Sequence, residues 1–344
     1  MINPLTSLRF VFALMVLLNH FDKGDGIYLF PQGYIGVGFF FILSGFILSY
    51  SQKPEIRNNI RKFYVARFAR IYPLHVITFC LVLFLLWIKD NPIDIKIAVI
   101  NLFLLQSFIP VSEYHFSINT PSWSISNEMF FYLLFPFVVQ FAISKSVKCK
   151  LVFLFLLTIL YLLTLTLTSG NLQHYFAYVA PFYRFIEFYI GMLLYSFWKD
   201  NPLDSLERES SAKIIFTLLE LFAVVFLMCF VLFSYKITWV LTLSFYYWLP
   251  MGLLIFVFAY SKGYISDIIS KRFFVYLGEI SFAFYLFHVP VIGFINPVLK
   301  HLNFTSCWEI KLLIFLLAIV LISFISYEYV EKPANKWIRK KFNI

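Results

Sequence analysis

Apolar runs of helix-spanning length alternate with short polar links from one end of the chain to the other. A membrane-crossing helix needs about 20 mostly apolar residues. Stretches at 3–21, 33–50, 72–88, 125–143, 151–168, 181–198, 214–234, 238–260, 275–298 and 308–330 meet that pattern. In hydrocarbon every backbone polar group must be satisfied within the protein, and a helix does so within its own segment. The pattern therefore predicts an all-α polytopic membrane helix bundle of about ten transmembrane helices. One further apolar stretch, 97–108, is shorter and carries Asn101, Gln106 and Ser107. A run of about 10–14 residues is more often re-entrant or interfacial than spanning. The segment near 93–122 is accordingly expected to re-enter or tilt.

Charge sets the orientation. The link SQKPEIRNNIRKFYVARFARIYP carries Lys53, Arg57, Arg61, Lys62, Arg67 and Arg70 against Glu55 alone. Basic loops stay on the cytoplasmic side. Two spans precede this loop, so the N-terminus is expected inside as well. KSVKCK at 145–150, the link at 261–274 and the tail EKPANKWIRKKFNI also read as inside. An even number of crossings must separate the first basic loop from residue 145, which leaves 97–108 out of the count. Both termini are then cytoplasmic.

Composition narrows the class. The 344 residues are 61% hydrophobic and 13% charged, which excludes a pair of soluble domains. The net charge of +10 fits cytoplasmic loops facing anionic lipid, not nucleic acid. The 45 Phe and 22 Tyr suit lipid-facing and interfacial positions. The four cysteines show no C-x-x-C and the six histidines no H-E-x-x-H, so neither a disulfide framework nor a metal site is expected. The first apolar run has no basic leader and no small-residue cleavage site, so no removable signal peptide is expected.

Charged groups inside spans are costly and usually face the bundle interior. The first helix, from an Asn3-Pro4 start, carries Arg9 and His20. Eleven steps of about 100° return to within roughly 20° of the starting direction, so both side chains share one face, about 16 Å apart along the axis. Arg67 and Arg70, three apart, share a face at the cytoplasmic start of the third span. Glu128 follows Trp123 in PSWSISNEMFFY, where Ser122 or Ser124 is placed to cap a helix. Arg184 and Glu187 form an i, i+3 pair, His288 precedes Pro290, and Glu331 lies where the last span ends. Gly33, Gly36, Gly38 and Ser44-Gly45 suit close helix approach. Each site has a plainer alternative. Arg9 and His20 could be snorkelling end residues, the arginine pair an interfacial anchor, and Glu128 a response to a helix dipole. Arg184–Glu187 could be a packing ion pair, and His288 a packing histidine bonded to a carbonyl freed by the proline. Taken together they suggest a polar cavity running inward from His20, with basic groups on its cytoplasmic side. Such a cavity suits a phosphorylated cytosolic donor.

Seven stretches carry a family resemblance: L-R-F-x9-H (Leu8, Arg9, His20), GYIGVGFFFILSGFIL, YVARFARIYPLH, PSWSISNEMFFYLLFP, YRFIEFYIGMLL, ISFAFYLFHVP and YVEKP. In this order the chain resembles the acyltransferase-3 family of bacterial integral-membrane acyltransferases over nearly its whole length. The resemblance implies a single membrane acyltransferase domain over 1–344, of the type without a C-terminal soluble domain. It implies transfer of an acetyl group from cytosolic acetyl-CoA to a hydroxyl of an envelope sugar such as O-antigen, capsule or exopolysaccharide. The expected partners are acyl-CoA, a glycan or lipid-linked sugar, and the bilayer. His20 is expected as general base, because neutral imidazole accepts a proton near pH 7, and Arg9 and Glu128 are expected to complete the catalytic set. Arg67, Arg70, Arg9 and Ser44 are assigned to the donor, and Trp123, Arg184, Glu187 and His288 to the acceptor, with His288 a second candidate base. Competing readings are a transporter or flippase of a lipid-linked sugar, an acyltransferase acting on a small molecule such as an antibiotic, and a non-catalytic membrane subunit. A transporter is often built from two similar halves, and no internal repeat is evident.

Overall fold

A computed structural model describes residues 2–21, 28–51, 59–301 and 307–344. Lys53, Glu55 and Arg57 of the first basic link lie outside the described residues. The described chain is helical and forms no β-sheet. Its main helices are α1 (Asn3–His20), α2 (Ile35–Ser51), α3 (Ile60–Ile88), α4 (Ile95–Leu102), α5 (Ser122–Ser144) and α6 (Val147–Leu167). They continue with α7 (Pro181–Lys199), α8 (Ala212–Phe233), α9 (Trp248–Phe258), α10 (Arg272–His301), α11 (Trp308–Ser326) and α12 (Lys332–Lys341). Helix lies at every predicted span. Among the described residues, seven helical runs, those containing α2, α3, α5, α6, α8, α10 and α11, are long and apolar enough to cross a membrane. The chain is a multi-pass helical membrane protein.

Three local differences from the sequence pattern have physical reasons. Helix α3 begins at Ile60, well before the apolar stretch that starts near residue 72. Arg and Lys are good helix formers, so the helix extends past the point where hydropathy falls. The stretch 238–260 is not one helix but a short helix Trp239–Thr242, a turn Phe245–Tyr247 and α9. Irregular backbone at membrane depth is tolerated where protein groups surround it, and Ser244 at this break donates to a buried carboxylate described below. The segment 93–122 contains only short helical pieces, of which α4, with 8 residues, is the longest. At about 1.5 Å per residue α4 cannot cross a bilayer.

Contacts divide the chain into two compact units. The first holds Met1–Phe12, Tyr34–Asn58 and Leu133–Glu279, and the second holds Ala13–Gly33, Asn59–Tyr132 and Ile280–Ile344. Helices α1, α5 and α10 each contribute to both.

In the first unit α2 and α7 pack with their backbones in contact. A Cβ on Gly45 would overlap the Phe188 carbonyl, and one on Gly191 would overlap the Ile42 carbonyl. Rigid main chain meets the added carbon in both cases, so neither helix can yield by changing a rotamer. Gly45→Val and Gly191→Val are each expected to destabilise by at least ~1–3 kcal/mol, read as a lower yield of monodisperse protein and a lower Tm in detergent. Gly252→Ala is the control, since its Cβ would meet only the Leu194 side chain at 3.4 Å. An unchanged Tm for Gly45→Val would refute this account of the crossing.

In the second unit a ladder of side chains ties the segment 93–122 in place. Asn101 donates to Ser117 Oγ (2.6 Å), Gln106 donates to Ser122 Oγ (3.1 Å), and Ser107 pairs with Ser126 (2.5 Å). From α3, the Tyr72 hydroxyl donates to the Leu102 carbonyl (3.2 Å) and His75 Nε2 to the Asn101 carbonyl (3.0 Å). Leu104 and Ile118 take positive φ values of 57° and 55°. For a β-branched residue such as Ile118 this is strained backbone, sustained only where the surroundings over-determine it.

Candidate active site

The second unit is organised around α10. Pro290 and Pro297 lie inside this helix, and each lacks the N–H that would bond the carbonyl four residues back. The carbonyls left over belong to Leu286 and Gly293. Asn119 Nδ2 donates to the Leu286 carbonyl at 3.1 Å, and Lys89 Nζ donates to the Gly293 carbonyl at 3.0 Å. The strained Ile118 thus directly precedes the residue that caps the kink in α10.

His288 does not take the freed carbonyl, as the plainer alternative had it. Its Nδ1 lies 2.5 Å from the Tyr285 carbonyl. A carbonyl only accepts, so Nδ1 carries the hydrogen and Nε2 carries the lone pair. That Nε2 is buried and has no hydrogen-bond partner. His20 is held in the same way, with Nδ1 2.9 Å from the Val16 carbonyl one turn earlier in α1. The two imidazole rings meet edge to face, with centroids 5.0 Å apart and planes at 62°. Two residues far apart in sequence thus bring their imidazole rings together, each with its Nδ1 held by a carbonyl of its own helix.

From His288 a continuous stripe runs back along α10. Tyr285, one step of three residues away, forms a triangle with α5. Its hydroxyl pairs with Ser124 Oγ at 2.8 Å, and both lie on the Pro121 carbonyl, at 3.3 Å and 2.9 Å respectively. Of the two residues read from the sequence as capping residues, Ser124 pairs with Tyr285 and donates to the Pro121 carbonyl, and Ser122 accepts from Gln106. Phe282, a further three residues back, lies under Arg70, whose Cζ is 6.0 Å from the ring centroid. Six residues separate Phe282 from His288, about 9 Å along the helix. On α5 the residues Ser124, Glu128 and Tyr132 share a face at steps of four. The Tyr132 hydroxyl donates to Glu128 Oε1 at 2.5 Å. Arg67 lies over the rings of Tyr132 and Phe63, 5.9 Å from each centroid. Its Nε is buried without a hydrogen-bond partner. The two half-buried arginines thus lie over aromatic rings, and Arg70 stands at the Phe282 end of a stripe whose other end is His288. Trp123 is buried against Phe116, with centroids 6.4 Å apart. Glu331 is buried in a π-type turn, Tyr327–Glu331, that joins α11 to α12.

The first unit holds a separate polar centre. Arg184 Nη1 lies 3.1 Å from Glu187 Oε1, and both side chains are 1% exposed. Glu187 Oε1 also accepts from Ser244 Oγ at 2.7 Å and Trp248 Nε1 at 3.2 Å. Arg184 donates to the Leu243 carbonyl at 3.3 Å and sits between the rings of Phe41 and Tyr178. Arg9 on α1 and Ser44 on α2 also belong to this unit.

Of the residues singled out in the sequence, His20, His288, Glu128, Trp123, Arg67 and Arg70 fall in the second unit, and Arg9, Ser44, Arg184 and Glu187 in the first. Sequence reasoning missed Asn119, Tyr132 and Tyr285. The one available signal was Pro290, which requires a donor for Leu286 from outside α10 without naming it. Among the described residues no group of three or more His, Cys, Asp or Glu side chains is placed to hold a metal ion.

Residues 3–328 match the Acyl_transf_3 family, described as an acyltransferase domain. A putative O-acetyltransferase of Staphylococcus aureus (strain COL), SACOL0978, is 23% identical over 97% of this chain and 57% of its own length. The O-acetyltransferase OatA of S. aureus (strain NCTC 8325) is 24% identical over 88% of this chain and 53% of its own. Acyltransferase MdmB of Streptomyces mycarofaciens is 35% identical over 38% of each chain. The chain thus matches between about a third and three fifths of the length of these relatives. No solved structure matches. The family match runs from the start of α1 into the turn after α11, and the chain belongs to the acyltransferase-3 family.

Proposed function

We propose that the protein is a membrane O-acyltransferase. It takes an acetyl group from cytosolic acetyl-CoA and passes it to a hydroxyl of a cell-envelope sugar. One observation carries this reading: a single unit holds Arg70 at one end of the α10 stripe, Arg67 one turn away on α3, and the His20–His288 pair at the other end of the stripe. Guanidinium groups bind phosphate oxygens with paired hydrogen bonds, so Arg67 and Arg70 take the phosphates of CoA. The positive-inside rule puts that end at the cytosol, where CoA is found. The thioester then lies toward the histidines. Family membership and the O-acetyltransferase names of two relatives support the same chemistry.

In the reaction His20 Nε2 accepts the proton of the acceptor hydroxyl while its oxygen attacks the thioester carbonyl. The tetrahedral intermediate collapses with cleavage of the C–S bond. The proton returns from the imidazolium to the departing sulfur, and free CoA leaves. Glu128 holds Tyr132 under Arg67 and so fixes the donor end. Trp123, in the same unit, lines the acceptor side.

The test uses the purified full chain in lipid nanodiscs with acetyl-CoA and envelope glycan, following CoA release and the acetyl mass increment on the glycan. Arg67→Ala and Arg70→Ala are each expected to raise the KM for acetyl-CoA by ~10-fold or more, the scale of one charged hydrogen bond. An unchanged KM in both would remove the donor assignment. Movement of lipid-linked sugar across the bilayer with no acetyl transfer would establish the flippase reading instead.

A further inference from the structure

The first unit carries a row of aromatic rings that the acyl-transfer chemistry does not use. It starts at Trp239, which is 55% exposed. The Trp239 ring stacks on His174, with centroids 5.8 Å apart and planes at 19°. His174 lies 5.7 Å from Tyr178, and Tyr178 lies 6.1 Å from Tyr34, edge to face. The row is braced by hydrogen bonds. Thr242 Oγ1 donates to the Trp239 carbonyl at 2.6 Å, so the Tyr34 hydroxyl is the donor in its 3.2 Å bond to Thr242. At its inner end Arg184 Cζ stands 5.5 Å from the Tyr178 centroid.

Behind Tyr178 the Arg184–Glu187 pair is incompletely satisfied. Arg184 Nε and Nη2 and Glu187 Oε2 are buried and have no hydrogen-bond partner. Two open donors and one open acceptor on groups that are 1% exposed are costly unless something completes them. A packing ion pair would gain by closing its own fork, with both guanidinium nitrogens on both carboxylate oxygens.

We infer that Trp239, His174, Tyr178 and Tyr34 form a carbohydrate track, along which a pyranose-containing acceptor stacks with a hydroxyl reaching the open atoms of Arg184 and Glu187. A pyranose offers an apolar C–H face and a rim of hydroxyls. The first matches the negative face of an aromatic ring, and the second matches a paired donor and acceptor. An ordinary interfacial aromatic belt sets its rings singly at headgroup level. Here the rings contact one another in series and lead from the exposed Trp239 to a buried charge pair. The side of the membrane also fits. Tyr34, the link before α7 and the link after α8 all follow outward crossings by the charge rule, and an envelope glycan arrives from outside. This inference rests on the proposed acyltransferase reading for the identity of its ligand and deepens that reading.

The experiment is saturation-transfer NMR on the full chain in nanodiscs. The probes are methyl pyranosides of glucose, galactose, rhamnose and N-acetylglucosamine and short oligosaccharides of the same sugars. At least one probe should receive saturation at its ring C–H protons. Trp239→Ala and His174→Ala should weaken that binding by about tenfold, as expected for truncation of an anchoring aromatic. Tyr235→Ala, an exposed aromatic outside the row, should leave it unchanged. If no probe binds, or if binding persists in the Trp239→Ala/His174→Ala double variant, the track is overturned. Two arms separate this failure from failure of the functional reading. Variant-sensitive saccharide binding in a protein without acetyl transfer would sink the acyltransferase reading and leave the track standing. Acetyl transfer whose acceptor KM is unmoved by the double variant would do the reverse.

Discussion

Replacement of His20 by alanine should lower acetyl transfer by about 10²- to 10⁴-fold in protein that inserts and folds normally, the usual contribution of a positioned general base. The residue is well isolated for such a test. Its only described hydrogen bond is to a carbonyl of its own helix, one turn back. Alanine is the best helix former, so α1 should persist. What is lost is an Nε2 lone pair whose direction was fixed by that bond. His288 provides the internal comparison. It is fully buried at 0% exposure and stacked edge-on against His20, and its Nδ1 is pinned in the same way. If His288→Ala lost transfer while His20→Ala retained it, the base would be His288. If both variants kept the wild-type rate, acid–base chemistry by this pair would be excluded. Partial rescue of His20→Ala by added imidazole would separate a missing proton acceptor from a damaged fold.

The second large effect concerns stability. Arg184→Met or Glu187→Leu alone should each cost about 3–5 kcal/mol, because either leaves an uncompensated charge in a dry interior. The double variant Arg184→Met/Glu187→Leu should be clearly more stable than either single one. Breaking a buried pair is strongly destabilising, whereas replacing it with apolar groups of similar volume is often near neutral. Ser244 tempers the double variant, since its hydroxyl donates to the Glu187 carboxylate and would lose that acceptor, whereas Trp248 Nε1 keeps Ser244 Oγ as a second acceptor at 3.0 Å. The measurement is a double-variant cycle on Tm and denaturant midpoint in one detergent. Strict additivity of the two single effects would mean that the pair does not interact as its 3.1 Å geometry implies.

The helical bundle was legible because lipid leaves the backbone few options. Each predicted span therefore met a helix, even where hydropathy misplaced an end, as at α3. The stretch 238–260 shows the limit of that signal. Its average composition is apolar, but Ser244 donates to Glu187 and the backbone breaks there. Window hydropathy does not register one serine serving a carboxylate on another helix. For the site, the residue types were readable and their partners were not. Arg184 and Glu187 are three apart, so helix geometry alone predicted their meeting. His20 and His288 meet through tertiary packing, which periodicity does not encode. Asn119 is an ordinary loop asparagine until Pro290 frees the carbonyl it caps. Tyr285 and Tyr132 were hidden among the 22 tyrosines of a membrane protein, where most tyrosines carry no particular message.

The two proline kinks of α10 bear on biosynthesis. Lys89 and Asn119 are made before α10, since the chain is synthesised from its N-terminus. When α10 emerges, the donors for Gly293 and Leu286 have already been synthesised, so each freed carbonyl can meet its partner as it arrives. A chain with the two segments in the opposite order would hold a kinked helix with open carbonyls in hydrocarbon until its caps were made. Linear gene order thus serves α10 as an insertion schedule in which the clasp precedes the helix it closes on.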